Sequence, residues 1–109
     1  MTQQDYTEIL ELVMRTNYGI TAEDLKGKSR KLNLIFARSV IYNILHGTLT
    51  MPYREIAEAT GYRDRITVMH FLDRWEGDML SPEYYSMYNN TITKFKIICH
   101  TLTTNLPRE

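Results

Sequence analysis

A chain of 109 residues fits one domain, here residues 1–109, and can bury a modest core without disulfides or a structural metal. Thirteen Lys and Arg balance thirteen Asp and Glu, which excludes a uniformly basic polyanion binder and leaves only local charge segregation as a route to such a partner. The lone Cys99 excludes an internal disulfide, no apolar run approaches the ~20 residues of a membrane span, and Met1-Thr2-Gln3-Gln4-Asp5 lacks a secretory pattern, so a soluble cytoplasmic protein is expected, with no membrane partner.

In chain order the pattern is helical nearly throughout. Tyr6, Ile9, Leu10, Val13 and Asn17 recur at helical spacing, with Gly19 placed to end the segment. Thr21 with Asp24 reads as a loose capping box on one short turn that carries Leu25. From about Lys31 to His46, the residues Leu34, Ala37, Ile41, Ile44 and Leu45 form the broad apolar stripe of a central buried helix, closed by Gly47. Thr50 is suited to cap a short helix that begins near Pro52 and runs through Ile56 to Ala59.

Next, Gly61 can take the positive φ that ends a helix, and Asp64 can accept backbone N–H bonds at the start of another. In that second helix Val68, Phe71, Leu72 and Trp75 face inward, while Arg65, Thr67 and Arg74 need not. Ser81-Pro82-Glu83 opens a last helix bearing Tyr84, Tyr85, Tyr88, Ile92, Phe95, Ile98 and Leu102. The expectation is an all-α bundle of about six helices. Helix, glycine turn, capping aspartate and helix, from about Pro52 to Trp75, are the grammar of a helix-turn-helix, whose second helix enters a DNA groove.

Charge distribution fits that reading. Between Lys26 and Arg54 stand Lys26, Lys28, Arg30, Lys31, Arg38 and Arg54 with no Asp or Glu, a pattern that gives a local positive field or, as the bland alternative, a solvated polar face. Lys26-Gly27-Lys28-Ser29 contains the tail of a phosphate-binding loop, but the required earlier glycine is Ala22 and no buried strand precedes it, so no nucleotide cofactor is expected. The segment makes better sense as a loop whose donors meet DNA phosphates. His46, His70 and His100 lack metal-ligand spacing, and Glu55, Glu58 and Asp64 are explained by solubility and capping, so neither a metal site nor an enzyme is expected. Ile66 has two readings, a contact to a thymine methyl or packing on the preceding helix, of which packing is favoured. Tyr84, Tyr85, Met87 and Tyr88 either cover the core or offer a face to a protein partner.

The block from Glu55-Ile56 to His70, together with Asp24 to Lys31 and Ala37-Arg38, resembles the C-terminal DNA-binding domain of the bacterial replication initiator family DnaA, over about Val13 to Trp75. Arg65 stands at that family's histidine, Ile66 at a serine or threonine, and Leu32 at an arginine that reaches the minor groove. The resemblance implies a Trp-repressor-like architecture and a double-stranded DNA partner. It implies Lys26, Lys28, Arg30, Lys31 and Arg38 on the DNA backbone, with Arg63, Asp64, Arg65 and Thr67 at the major groove. The function expected is a stand-alone DNA-binding protein without the initiator's ATPase domain, regulating replication or transcription. The alternative is a protein-interaction module that keeps the fold with weak or no DNA binding, using the tyrosine-rich helix.

Overall fold

The computed structural model describes residues 1–104, which form seven helices and no strand among the described residues. α1 (Gln3–Tyr18) is held at its start by a reciprocal box, in which Thr2 Oγ1 accepts from the Asp5 N–H at 3.1 Å and Asp5 accepts from the Thr2 N–H at 2.8 Å. Gly19, at φ 66°, ends it in the left-handed conformation that suits glycine. The same box recurs at α2 (Ala22–Lys26) between Thr21 and Asp24.

α3 (Leu32–Gly47) is the centre of the molecule and packs against α1, α2, α4, α5 and α7. Leu34, Ala37, Val40, Ile41, Tyr42, Ile44 and Leu45 are all buried, a band wider than one stripe because neighbours surround the helix. Of its buried polar residues, Ser39 and Asn43 find partners inside, whereas the buried Tyr42 hydroxyl has none among the described residues. Tyr84 from the last helix places its hydroxyl 2.9 Å from Ser39 Oγ and accepts from Asn43 Nδ2 at 3.0 Å. Burial pushes the Tyr84 phenol up to about 12, so it stays neutral and able to hydrogen-bond.

α4 (Tyr53–Thr60) and α5 (Arg65–Asp73) form the helix-turn-helix, α6 (Trp75–Asp78) is a single turn, and α7 (Pro82–Thr104) crosses back over α1 and α3. At ~1.5 Å per residue α7 is about 34 Å long, the longest helix of the described residues. The count exceeds the expected six because the short turn α6 separates from α5 at Arg74, which is the C-cap of one and the N-cap of the other. The tyrosine cluster resolves mostly inward. Tyr84 is buried and meets Phe36 edge-on at 5.4 Å, Tyr88 stacks edge-on against Trp75 at 4.8 Å, and Tyr85 alone of the three is exposed, at 50%.

Thr50 corrects the sequence reading. It is not the cap of α4: Pro52 occupies that position without a side-chain hydrogen bond, and the Thr50 hydroxyl donates to the Leu49 carbonyl at 2.7 Å. The turn from α3 to α4 brings the Met51 N–H back onto the Leu45 carbonyl at 3.2 Å, and Thr50 adopts φ 54° within it, alone among non-glycine residues described. A β-branched residue is strained there by about 1–2 kcal/mol. Thr50→Gly is therefore expected to raise stability by about 1 kcal/mol, seen as a higher denaturation midpoint at unchanged slope. A lowered midpoint contradicts the strain.

Candidate nucleic-acid interface

The basic segment is a loop between α2 and α3, and an arginine behind it determines its shape. Arg38, 2% exposed on α3, donates from Nε to the Leu25 carbonyl at 2.8 Å and from Nη1 to Ser29 at 2.9 Å. Its Nη2 donates to the carbonyls of Asp24 at 3.1 Å and Gly27 at 3.0 Å. No carboxylate pairs with this guanidinium among the described residues. Its charge is balanced by carbonyl dipoles, several at the C-terminal end of α2. Burial and the nearby Arg63 draw its pKa down from the ordinary value, yet an arginine stays protonated.

Arg63 adds a second tie. From the turn of the helix-turn-helix its Nη2 donates to the Gly27 carbonyl at 2.7 Å and its Nη1 to the Tyr62 carbonyl at 2.5 Å. Gly27 O thus accepts from both arginines, joining the basic loop to the turn before α5. Gly27 itself sits close to α2, where an added Cβ would lie 3.3 Å from the Glu23 carbonyl. These contacts change the expectation for Arg38 and Arg63. Arg38 has no exposed guanidinium to offer a phosphate or base edge, because its donors are engaged inside, and the half-buried Arg63 is engaged in the same way.

α5 begins where the sequence places it. Asp64 caps it, with Oδ1 accepting from the Thr67 N–H at 2.8 Å, and this bond holds the carboxyl below its usual range while the residue stays exposed. Arg65 and Ile66 occupy the first two helical positions and are exposed. Arg65 forms no hydrogen bond or ion pair among the described residues. Ile66, expected to pack, is instead 54% exposed, since the inner face of α5 is already filled by Val68 with Phe71 and Leu72. Thr67 is half-buried. Lys26, Lys28, Arg30 and Lys31 are exposed, and so is Leu32, at 62%.

Loop and helix enclose a groove of about 560 Å³ lined by Lys28, Arg30, Ile35, Arg38, Arg63, Thr67, Phe71 and Arg74. Five of these eight residues are cationic and none is acidic, so the neutral chain carries a focused positive site. Arg74 was not singled out as a site residue in the sequence. It stands about two and a half turns beyond Arg65, its guanidinium carbon 4.8 Å from the Phe71 ring centroid, a cation–π contact that fixes its direction. Its position one residue past the end of an amphipathic helix, three after Phe71, was the available sign.

Because four backbone acceptors depend on Arg38, Arg38→Met is expected to cost about 3 kcal/mol and to speed amide exchange from Gly27 to Lys31. Urea titration with hydrogen exchange checks both. An unchanged midpoint would show that the loop holds its shape without this arginine.

Residues 6–74 match the family model of the bacterial DnaA protein helix-turn-helix. The chain is 32% identical over 80 residues to the chromosomal replication initiator protein DnaA of Herpetosiphon aurantiacus, covering 73% of this chain and 16% of that protein. It is likewise 32% identical over 69 residues to that of Crocosphaera subtropica, covering 62% and 15%. No solved structure matches the chain. The matched span runs from α1 through the loop, the arginine-held groove and all of α4 and α5, and the chain belongs to the family of the bacterial DnaA helix-turn-helix.

Proposed function

We propose that the chain binds double-stranded DNA, recognises a site there and regulates replication or transcription. The acid-free cationic groove beside the N-terminus of α5 carries this reading, because duplex affinity is dominated by phosphate neutralisation and a helix N-terminus adds to the attraction for anions. Family membership supports a DNA-binding role. α7 lies beyond the matched residues and packs on α1 and α3, so it is part of the same bundle as the helix-turn-helix.

In this proposal Lys26, Lys28, Arg30, Lys31 and Arg74 meet the DNA backbone, whereas Arg38 and Arg63 hold the loop that carries the lysines. Arg65 and Asp64 face base edges in the major groove, where a guanidinium suits guanine O6/N7 and a carboxylate suits a cytosine amino group. The rival reading, a protein-interaction module without DNA affinity, loses its tyrosine-rich face, since Tyr84 and Tyr88 pack on the core.

Neutralising about three to five phosphates predicts that log affinity falls with log salt at a slope of roughly −3 to −5. Lys28→Ala is expected to weaken all duplexes alike and to flatten the slope by about one. Titrations of a mixed-sequence duplex at several salt concentrations measure both, and no binding at low salt rejects the DNA reading in favour of the interaction module.

Base reading is separable from positioning. A bidentate arginine–guanine pair is worth about 1–3 kcal/mol of discrimination, so Arg65→His is expected to change the preferred base at one position of a site selected from a random duplex library, more than it lowers overall affinity. An identical selected site for both proteins assigns Arg65 to the backbone.

A further inference from the structure

We propose that Ile66 reads the C5-methyl group of a pyrimidine in the major groove, so that the preferred site requires thymine, or accepts 5-methylcytosine, at one position; this rests on the DNA-binding reading above. An isolated exposed aliphatic side chain ordinarily carries no meaning. Ile66 differs by its surroundings. It lies between Arg65, which has no protein partner among the described residues, and Thr67, which lines the cationic groove.

The inner face of α5 is complete without it. Val68 is buried, Phe71 and Leu72 pack on the core, and Ile66 remains 54% exposed at the second position of the helix. The Asp64 cap fixes the first turn, and β-branching leaves an isoleucine in a helix essentially one χ1 rotamer. The consequence is a stiff apolar surface where a recognition helix meets base edges. Isoleucine cannot bond to phosphate or to the polar groups of a base. Among base edges in the major groove, the apolar feature it can match is the C5-methyl of thymine. Cytosine and uracil lack that methyl, and 5-methylcytosine has it, so the chemistry ranks thymine and 5-methylcytosine above cytosine and uracil.

The test uses the whole chain and a duplex selected from a random library, with each thymine replaced in turn by uracil, which removes one methyl and leaves base pairing intact. At one position the wild-type dissociation constant is expected to rise about fourfold, the worth of one methyl removed from water. Ile66→Ser is expected to bind the thymine and uracil duplexes equally, and Ile66→Val to keep most of the preference. With a C·G pair at that position, methylating the cytosine at C5 is expected to recover the same factor. Since Ile66 is exposed, thermal melts of both variants should match wild type. Loss of affinity at no thymine, or a loss that persists in Ile66→Ser, overturns the inference while leaving DNA binding intact. Absence of any duplex binding at low salt rejects the underlying reading instead.

Discussion

Arg38 is the constraint on which the rest of the candidate interface depends. A loop of Gly, Lys, Ser, Arg and Lys has no apolar side chain to bury and no regular backbone pairing, so left to itself it would be an ensemble. Four of the carbonyls in and before it point instead at one planar guanidinium rising from the central helix. Lysine could not substitute, because a point charge with three donors cannot meet acceptors spread around a fork. The cost of burying this charge is offset by dipoles rather than by a carboxylate, and that has an electrostatic consequence: an acidic partner would cancel the positive field that the groove presents, while carbonyls leave the net charge in place.

Arg63 extends the same logic to the helix-turn-helix. By sharing the Gly27 carbonyl with Arg38, it couples the placement of the loop to the start of α5, two elements 36 residues apart in sequence. The cationic residues therefore divide by task. Arg38 and Arg63 are engaged by the protein, Arg74 is oriented by an aromatic ring, and Lys26, Lys28, Arg30, Lys31 and Arg65 remain solvated. Side chains in the last group lose their hydration only when a partner arrives, and a loop already ordered limits the entropy lost at that moment.

How much of this was legible in the sequence follows from the range of the interactions involved. Gly19, Thr21 with Asp24, Gly61 and Asp64 act through bonds three to five residues long, so residue type and spacing are sufficient to place them. For Arg38 the sequence points outward, because its partners lie 9 to 14 residues away and only the tertiary fold shows that the loop wraps back over it. Thr50 looked like a cap by type, whereas the tight return from α3 needed a left-handed residue at its position. Arg74 carries no sequence sign of a site beyond its spacing from Phe71, since the groove exists only where α3, α5 and the loop converge. For Ile66 the general preference for burying isoleucine fails because the inner face of a short helix is already full.

The positions at which this chain departs from the family pattern share one property. Leu32, Arg65 and Ile66 are all exposed, the first at the N-terminus of α3 and the others at the N-terminus of α5. None holds the fold together, so substitution there leaves the core, the caps and the arginine-held loop intact. Arg38, Arg63 and Asp64, by contrast, build the frame, two by holding the loop and the third by capping α5. Substitution at the solvent-facing Leu32, Arg65 and Ile66 leaves the positive groove and its arginine-held loop as they are. Positive charges crowded around one groove repel each other and contribute nothing to stability without an anion to meet, so the groove is costly to the chain unless it is filled.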